Sequence, residues 1–248
     1  MWHAFLIAGR FLTRLPLPDP GPVAGPDFGR CAVFFPLVGL ILGSIVWGLS
    51  ALSAAVGSPA PDVAAALVLV AWVGLTGGLH LDGLADTADA WIGGLGDRSR
   101  TLEIMRDPGS GPFGVITLIL LLLCKWTALS ALMTVGAPAG LIWIPVLARV
   151  QLLLLMLTTP PAHAAGMGAE IGPQMPRAPA WTWVIVALAA SALFLGAQWL
   201  GLVAAAGALF LLWRRSMLAR LGGFSGDTAG ALVELSEALL LITAVLFL

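Results

Sequence analysis

The chain has 248 residues, of which 59% are hydrophobic and 10% charged, and its formal net charge is −1. An ordinary globular domain carries about 25% charged residues, and the mean hydropathy here is +0.99, so an integral membrane protein is indicated and a water-soluble domain is excluded. The near-neutral charge gives no footprint for a nucleic-acid partner.

The first segment, "MWHAFLIAGRFLTRLPLPDP", has a short apolar core broken by Arg10 and Arg14, with no small-residue cleavage site after it. It reads as an amphipathic or re-entrant lead-in helix that stays on the protein, not as a signal peptide. A helix needs about 20 apolar residues to cross the hydrocarbon core. Seven candidate spans follow, near 33–56, 62–80, 114–135, 138–159, 180–197, 198–213 and 231–248. Pro and Gly punctuate most junctions: "GSPAP" at 57–61, "GAPAG" at 136–140, "GPQMPRAP" at 172–179. The fifth and sixth nearly merge across "AQWLG", so the count lies between six and eight. The expected fold is an all-α, polytopic membrane bundle of about seven transmembrane helices, forming a single transmembrane domain over 1–248. Cys31 and Cys124 lie in apolar segments, too far apart for metal-ligand spacing, and read as packing residues.

Cation placement orients the chain. Arg10, Arg14 and Arg30 precede the first span; Arg98, Arg100 and Arg106 follow the second; Arg177 follows the fourth; Arg214, Arg215 and Arg220 follow the sixth. Ten of the twelve Lys and Arg therefore fall on one side, expected to be the cytoplasm, with the N-terminus there too. The other two, Lys125 and Arg149, lie inside spans. The acidic residues, Asp62 apart, follow the cytosolic side or the span ends.

Against this background "GGLHLDGLADTADAW", 77–91, concentrates Asp82, Asp86 and Asp89 beside His80. On a helix the aspartates are i, i+4 and i+7 and share one face. Three anions on one face repel unless a cation sits between them. Carboxylates are hard ligands suited to Mg²⁺, which usually shares its shell with substrate phosphates. The segment "RLGGFSGDTAGALVELSE", 220–237, echoes the first: "GDTAGA" against "ADTADA", each after a Gly-Gly pair. Its Asp227, Glu234 and Glu237 lie near one helical face, and the two glutamates enter an apolar span where an unpaired carboxylate is costly. Two such helices read as two walls of a metal site. A third segment, "RTLEIMRDPGSGPFG", 100–114, sets Arg106 before a Gly-rich loop that opens a helix. Free N–H groups there, around Gly111 and Gly114, suit a phosphate. Mid-span Arg149 should face the bundle interior and pair with an acid or a substrate anion, and Lys125 has the same options or a structural ion pair. His163 and "GMG" at 166–168 lie in a cytosolic loop that could line the site.

These motifs resemble the bacterial cobalamin synthase family, the adenosylcobinamide-GDP ribazoletransferases. The resemblance is carried by "GGLHLDGLADTADA", "LEIMRDPGSGPFG" and "GGFSGDTAGALVELSE", with "RFLTRLPLP" and "FPLVGLILG" nearer the N-terminus, and runs from about Phe11 to Glu237. It implies a cytoplasmic-membrane enzyme that joins adenosylcobinamide-GDP to α-ribazole or its 5′-phosphate. The products are GMP and adenosylcobalamin or its 5′-phosphate, and Mg²⁺ is the implied cofactor. One departure is visible: Gly109 stands where the family pattern has Arg, so Arg106, Arg98 or Arg100 would have to compensate.

The expected site follows. Asp82, Asp86, Asp89 and Asp227 ligate Mg²⁺, Glu234 and Glu237 complete the site or orient water, and a carboxylate or His80 accepts the attacking hydroxyl's proton. Arg106, Arg149, Lys125, Gly111 and Gly114 hold phosphate oxygens. The expected partners are the two small substrates and membrane lipid. The small-residue face at 201–208 suits internal packing or a contact in a homo-oligomer. The rival readings are a CDP-alcohol phosphotransferase or polyprenyl transferase, which also use clustered aspartates, and a cation or solute transporter. A transporter needs access from both sides, whereas the acids here cluster at one face.

Overall fold

The computed structural model describes residues 1–23, 25–56, 60–136, 138–162 and 167–247. Among them the chain is helical, with a single isolated bridge between Pro161 and Phe224 in place of any strand. The helices are α1 (Trp2–Leu12), α2 (Gly25–Cys31), α3 (Phe35–Ala55), α4 (Pro61–Thr76), α5 (Leu79–Gly93) and α6 (Arg98–Ile104). After them come α7 (Pro112–Thr134), α8 (Trp143–Thr158), α9 (Met167–Gln174), α10 (Arg177–Leu195), α11 (Gln198–Leu221) and α12 (Gly226–Val245).

Six helical stretches are long and apolar enough to cross a membrane: 26–55, which joins α2 to α3, then α7, the stretch 139–158 around α8, α10, α11 and α12. A seventh span arises only if α4 and α5 count together, and these are bent by 88°. The expected span at 62–80 therefore ends at Thr76, and α5, with its aspartates, turns away from it. The bend has a local cause. Gly77 and Gly78 are both left-handed, at φ 67° and 69°, a region that costs L side chains steric energy. The first caps α4 and the second starts α5.

Two helices form the axis of the bundle. α8 is buried on nearly every side, as expected of a helix that is apolar all round. Gly39 and Gly43 let α3 lie against the backbone of Pro145 and Ile142 at the start of α8. α12 is the second axis and packs most extensively against α5. A capping box starts it: the Ser225 hydroxyl accepts from Thr228 N–H and the Thr228 hydroxyl accepts from Ser225 N–H. α12 thus begins at Gly226, five residues before the expected span, and Asp227 sits in its first turn. The outer helices α10 and α11 bury little and present apolar flanks. α1 packs Ala4, Ile7, Ala8 and Leu12 into the core, as the lead-in reading expects. Cys31 is buried, whereas Cys124 lies on the exposed flank of α7.

Candidate functional site

α5 and α12 meet backbone to backbone. A Cβ on Gly83 would stand 2.8 Å from Asp227 Cα, and one on Gly230 would stand 3.2 Å from His80 Cα. As α5 runs from His80 to Gly83, α12 runs from Gly230 to Asp227, so the two echoing segments pack antiparallel. Small residues on both sides permit this approach, the usual device of close helix contacts in membranes. The contact brings Asp82 and Asp86, one on each side of Gly83 in sequence, to Asp227.

These carboxylates crowd one another. Beyond the bend, Asp86 is pushed up to about 6 by partial burial and then by the charges of Asp82, Asp227 and Asp89. Among the described residues no cation and no hydrogen-bond donor engages the side chains of Asp82 or Asp86. The Ser225 hydroxyl lies 3.5 Å from Asp227 Oδ2.

The other expected ligands stand differently. Asp89 is a cap: its Oδ2 accepts from Gly111 N–H at 2.7 Å, and its Oδ1 from Phe113 and Gly114 N–H at 3.1 and 3.0 Å. The helix-start donors that the sequence offered to a phosphate are therefore taken by a carboxylate of the chain itself, a favourable pairing at a helix N-terminus. A Cβ at Gly111 or Gly114 would collide with that carboxylate, which explains both glycines. Glu234 and Glu237 lie about 10 and 15 Å further along α12 from Asp227, at 1.5 Å per residue. They are bound to Lys125, whose Nζ lies 2.6 Å from Glu234 Oε2 and 2.7 Å from Glu237 Oε2. Arg149 pairs with Glu237 Oε1. All four side chains are buried. Of the readings open to Lys125 and Arg149, the ion pair is the one present.

His80 does not join the aspartates. At 3.6 residues per turn it points from the opposite side of α5. It is buried, among the described residues its Nδ1 has no partner, and it lies within electrostatic reach of Arg149, Glu237 and Lys125. His163 lies outside the described residues.

The cations narrow as well. Arg98 donates to the Ala162 carbonyl, Arg100 pairs with Glu103, Arg177 donates to the Leu157 carbonyl, and Arg214 bonds Thr158 and Thr159. Arg220 donates to the Trp91 carbonyl and lies over the Trp91 ring. Arg106 is exposed, and among the described residues its guanidinium has no partner. Of the three candidates to compensate for the missing Arg at 109, it alone is uncommitted. Gly109 itself donates its N–H to Asp107 Oδ1 at 2.9 Å, a tight turn beside Arg106.

Two features escaped the sequence reading. Arg14 is anchored by its N–H to the Leu75 carbonyl at 2.6 Å and lays its side chain over Gly77, where any Cβ would strike it. That places a guanidinium at the start of α5, and among the described residues the Arg14 side chain has no hydrogen-bond or ion-pair partner. Trp91 and Trp213 stack at 6.0 Å, their indole N–H groups donating to Ser216 and to the Thr228 carbonyl, and so tie α11 to both acidic helices. The "RFLTRLPLP" and "ADAW" stretches were visible, but nothing local says which distant backbone they meet.

Among the described residues no three His, Cys, Asp or Glu side chains stand close enough to cage an ion unaided. This suits Mg²⁺, which keeps waters and substrate phosphates in its shell and binds through one or two carboxylates. The donors around Asp86 are hard oxygens, and among the described residues no cation meets Asp82 or Asp86, so the residues fit a divalent cation.

Residues 4–245 match the family model described as Cobalamin-5-phosphate synthase. Among curated relatives, the adenosylcobinamide-GDP ribazoletransferase of Ectopseudomonas mendocina (strain ymp) is 48% identical over 243 residues, covering 98% of each chain. That of Pseudomonas putida (strain GB-1) is 49% identical over 233 residues, covering 94% of each. That of Stutzerimonas stutzeri (strain A1501) is 48% identical over 237 residues, covering 96% of this chain and 95% of the relative. No solved structure matches the chain.

Proposed function

The chain belongs to the cobalamin-5-phosphate synthase family, and from that premise we propose how its residues carry out the family's reaction. It is an adenosylcobinamide-GDP ribazoletransferase, acting at the nucleotide-loop assembly step of cobalamin biosynthesis. A ribose hydroxyl of α-ribazole, or of its 5′-phosphate, attacks the phosphorus joined to cobinamide. An O–P bond forms, the phosphoanhydride bond breaks, GMP leaves, and the hydroxyl proton passes to a base.

Asp86, Asp82 and Asp227 are the carboxylates proposed to serve Mg²⁺, one or two of them as direct ligands and the rest through water. The observation that carries this is the crowding of Asp86 by carboxylates, with no cation on Asp82 or Asp86 among the described residues. When bound, the ion neutralises the diphosphate and stabilises the departing GMP. The protein's own part is positioning. The Gly83–Asp227 contact fixes the carboxylates on two rigid helices, and Arg106 and Arg14 supply the uncommitted guanidinium groups for the remaining phosphate oxygens. An aspartate of this cluster, not His80, is the proposed proton acceptor, because His80 faces away. The site lies at the end of the bundle that carries ten of the twelve cations, which supports an active site on the cytosolic face of the bacterial inner membrane.

The test is direct. Membranes containing the chain are incubated with adenosylcobinamide-GDP, α-ribazole 5′-phosphate and Mg²⁺, and GMP is measured. Release that stops with a chelator and returns with Mg²⁺ is the expected result. Release indifferent to the chelator would overturn the metal assignment, and no GMP above control membranes would overturn the reaction.

A further inference from the structure

One buried stripe of α7 touches both acidic helices. Gly114 and Lys125 are eleven residues apart, three turns and about 16 Å, and so share one face of α7. At the lower end of that face, Gly111, Phe113 and Gly114 hold Asp89 of α5 through three N–H bonds. At the upper end, Lys125 holds Glu234 and Glu237 of α12. Arg149 of α8 secures Glu237 from the other side. These groups belong to the two helices that present Asp82, Asp86 and Asp227, yet none of their bonds reaches the open face of those carboxylates.

We propose that α7 is a strut that sets the register of α5 against α12, with Asp89, Lys125 and Glu234 as positioning residues. A slip of α12 by one turn would move Asp227 about 5 Å from its place beside Gly83. The strut resists such a slip because every mismatch leaves a buried charge unpaired, a strongly unfavourable state in an apolar core. The two glutamates and the third aspartate of the motif thereby serve the site without touching its ion. The inference rests on the proposed ligands Asp82, Asp86 and Asp227 for its functional consequence only.

The test uses the full chain, purified in detergent, with Cys31→Ala and Cys124→Ala as background. Spin labels at Ile92→Cys in α5 and Ile242→Cys in α12 report the helix spacing by pulsed dipolar spectroscopy without metal. Mn²⁺ binding is measured separately by the resonance of the free ion. The variants are Asp89→Asn and the charge-balanced pair Lys125→Met/Glu234→Gln, which leaves the Arg149–Glu237 pair intact and so spares folding. The expected result is a broadened or shifted distance distribution and Mn²⁺ affinity lower by about 10- to 100-fold, the usual effect of losing support behind metal ligands. Turnover at saturating metal stays near the parent's. Asp86→Asn, by contrast, loses Mn²⁺ binding with the distances unchanged. A parent-like distribution in both test variants overturns the strut, as does loss of binding in Asp89→Asn with unchanged distances, which would make Asp89 a ligand. If the parent binds no Mn²⁺, the ligand assignment falls, and the distances alone decide the strut.

Discussion

Two groups of carboxylates lie along the α5–α12 contact, and their surroundings are opposite. Glu234 and Glu237 are deep, and every charge they carry is met by Lys125 or Arg149. Asp82 and Asp86 lie nearer the start of α5, beyond the α4–α5 bend, and among the described residues no protein cation meets them. Acidic residues in an apolar chain invite one common explanation, yet only the second group is left with charge for a ligand to neutralise. Burial of the first group demands internal pairing, because an unpaired charge inside the bundle is costly. The second group is exposed or only partly buried, so water tempers its mutual repulsion.

The largest separation between the groups should appear in turnover. Asp86→Asn keeps the side chain's shape and removes the charge. Its activity is expected to fall by about 10³-fold or more, comparable to losing a main electrostatic element of a site, while the amount of extracted folded protein is unchanged. Asp82→Asn should behave alike. Near-normal GMP release by either variant at saturating Mg²⁺ would erase the distinction between the two groups.

Arg149→Met probes the other group and should fail in a different way. Removing one partner of a buried pair costs about 3–5 kcal/mol, because the remaining charge is left uncompensated. The expected loss is therefore in folded yield and thermal stability in detergent. The fraction that does fold should keep a normal response to Mg²⁺. A stable Arg149→Met protein that is simply inactive would return Arg149 to the substrate.

Much of this contrast was legible in the sequence, and its limits are physical. The i, i+4, i+7 spacing put three aspartates on one face, and hydropathy located all six spans, three of them (114–135, 138–159 and 180–197) to within a few residues. The membrane character followed from composition, and the all-α bundle from the apolar spans. Which carboxylate meets which cation did not follow. Lys125 and Glu234 are 109 residues apart, and a local pattern carries no record of such a pairing. Asp89 shows the same limit from the other side. It shares its face with Asp82 and Asp86, and only the arrival of the α7 N-terminus, over twenty residues later, separates its role from theirs. The Gly-rich loop was read as a phosphate site, whereas its N–H donors at Gly111, Phe113 and Gly114 are taken by the Asp89 side chain. The α4–α5 bend was hidden because two adjacent left-handed glycines inside a hydrophobic run look like the end of a single span.

A smaller effect is expected at Arg106, the exposed cation proposed above for the substrate's phosphate oxygens. A charge-assisted hydrogen bond is worth about 1.5–3 kcal/mol, so Arg106→Ala should raise the KM for adenosylcobinamide-GDP by about 10- to 100-fold. Arg100→Ala, which only breaks an exposed pair with Glu103, should leave KM unchanged. Equal effects of the two would place the phosphate contact elsewhere on the loop.

The mildest test changes no residue. With Asp86 pushed up to about 6, proton and cation compete for it close to physiological pH. An ordinary aspartate, near 3.9, would be fully ionised throughout this range. As pH falls through 6, a growing share of Asp86 is protonated, and each unit below should raise the Mg²⁺ concentration for half-maximal activity by about tenfold, the limit for one competing proton. Above pH 7 the requirement should be flat. The sign matters: a raised value makes the site lose metal at mildly acid pH, whereas an aspartate already neutralised by a protein cation would hold its charge to far lower pH. A Mg²⁺ requirement constant from pH 7.5 to 5 would mean that Asp86 is not among the ligands, and that the two groups of carboxylates differ in depth alone.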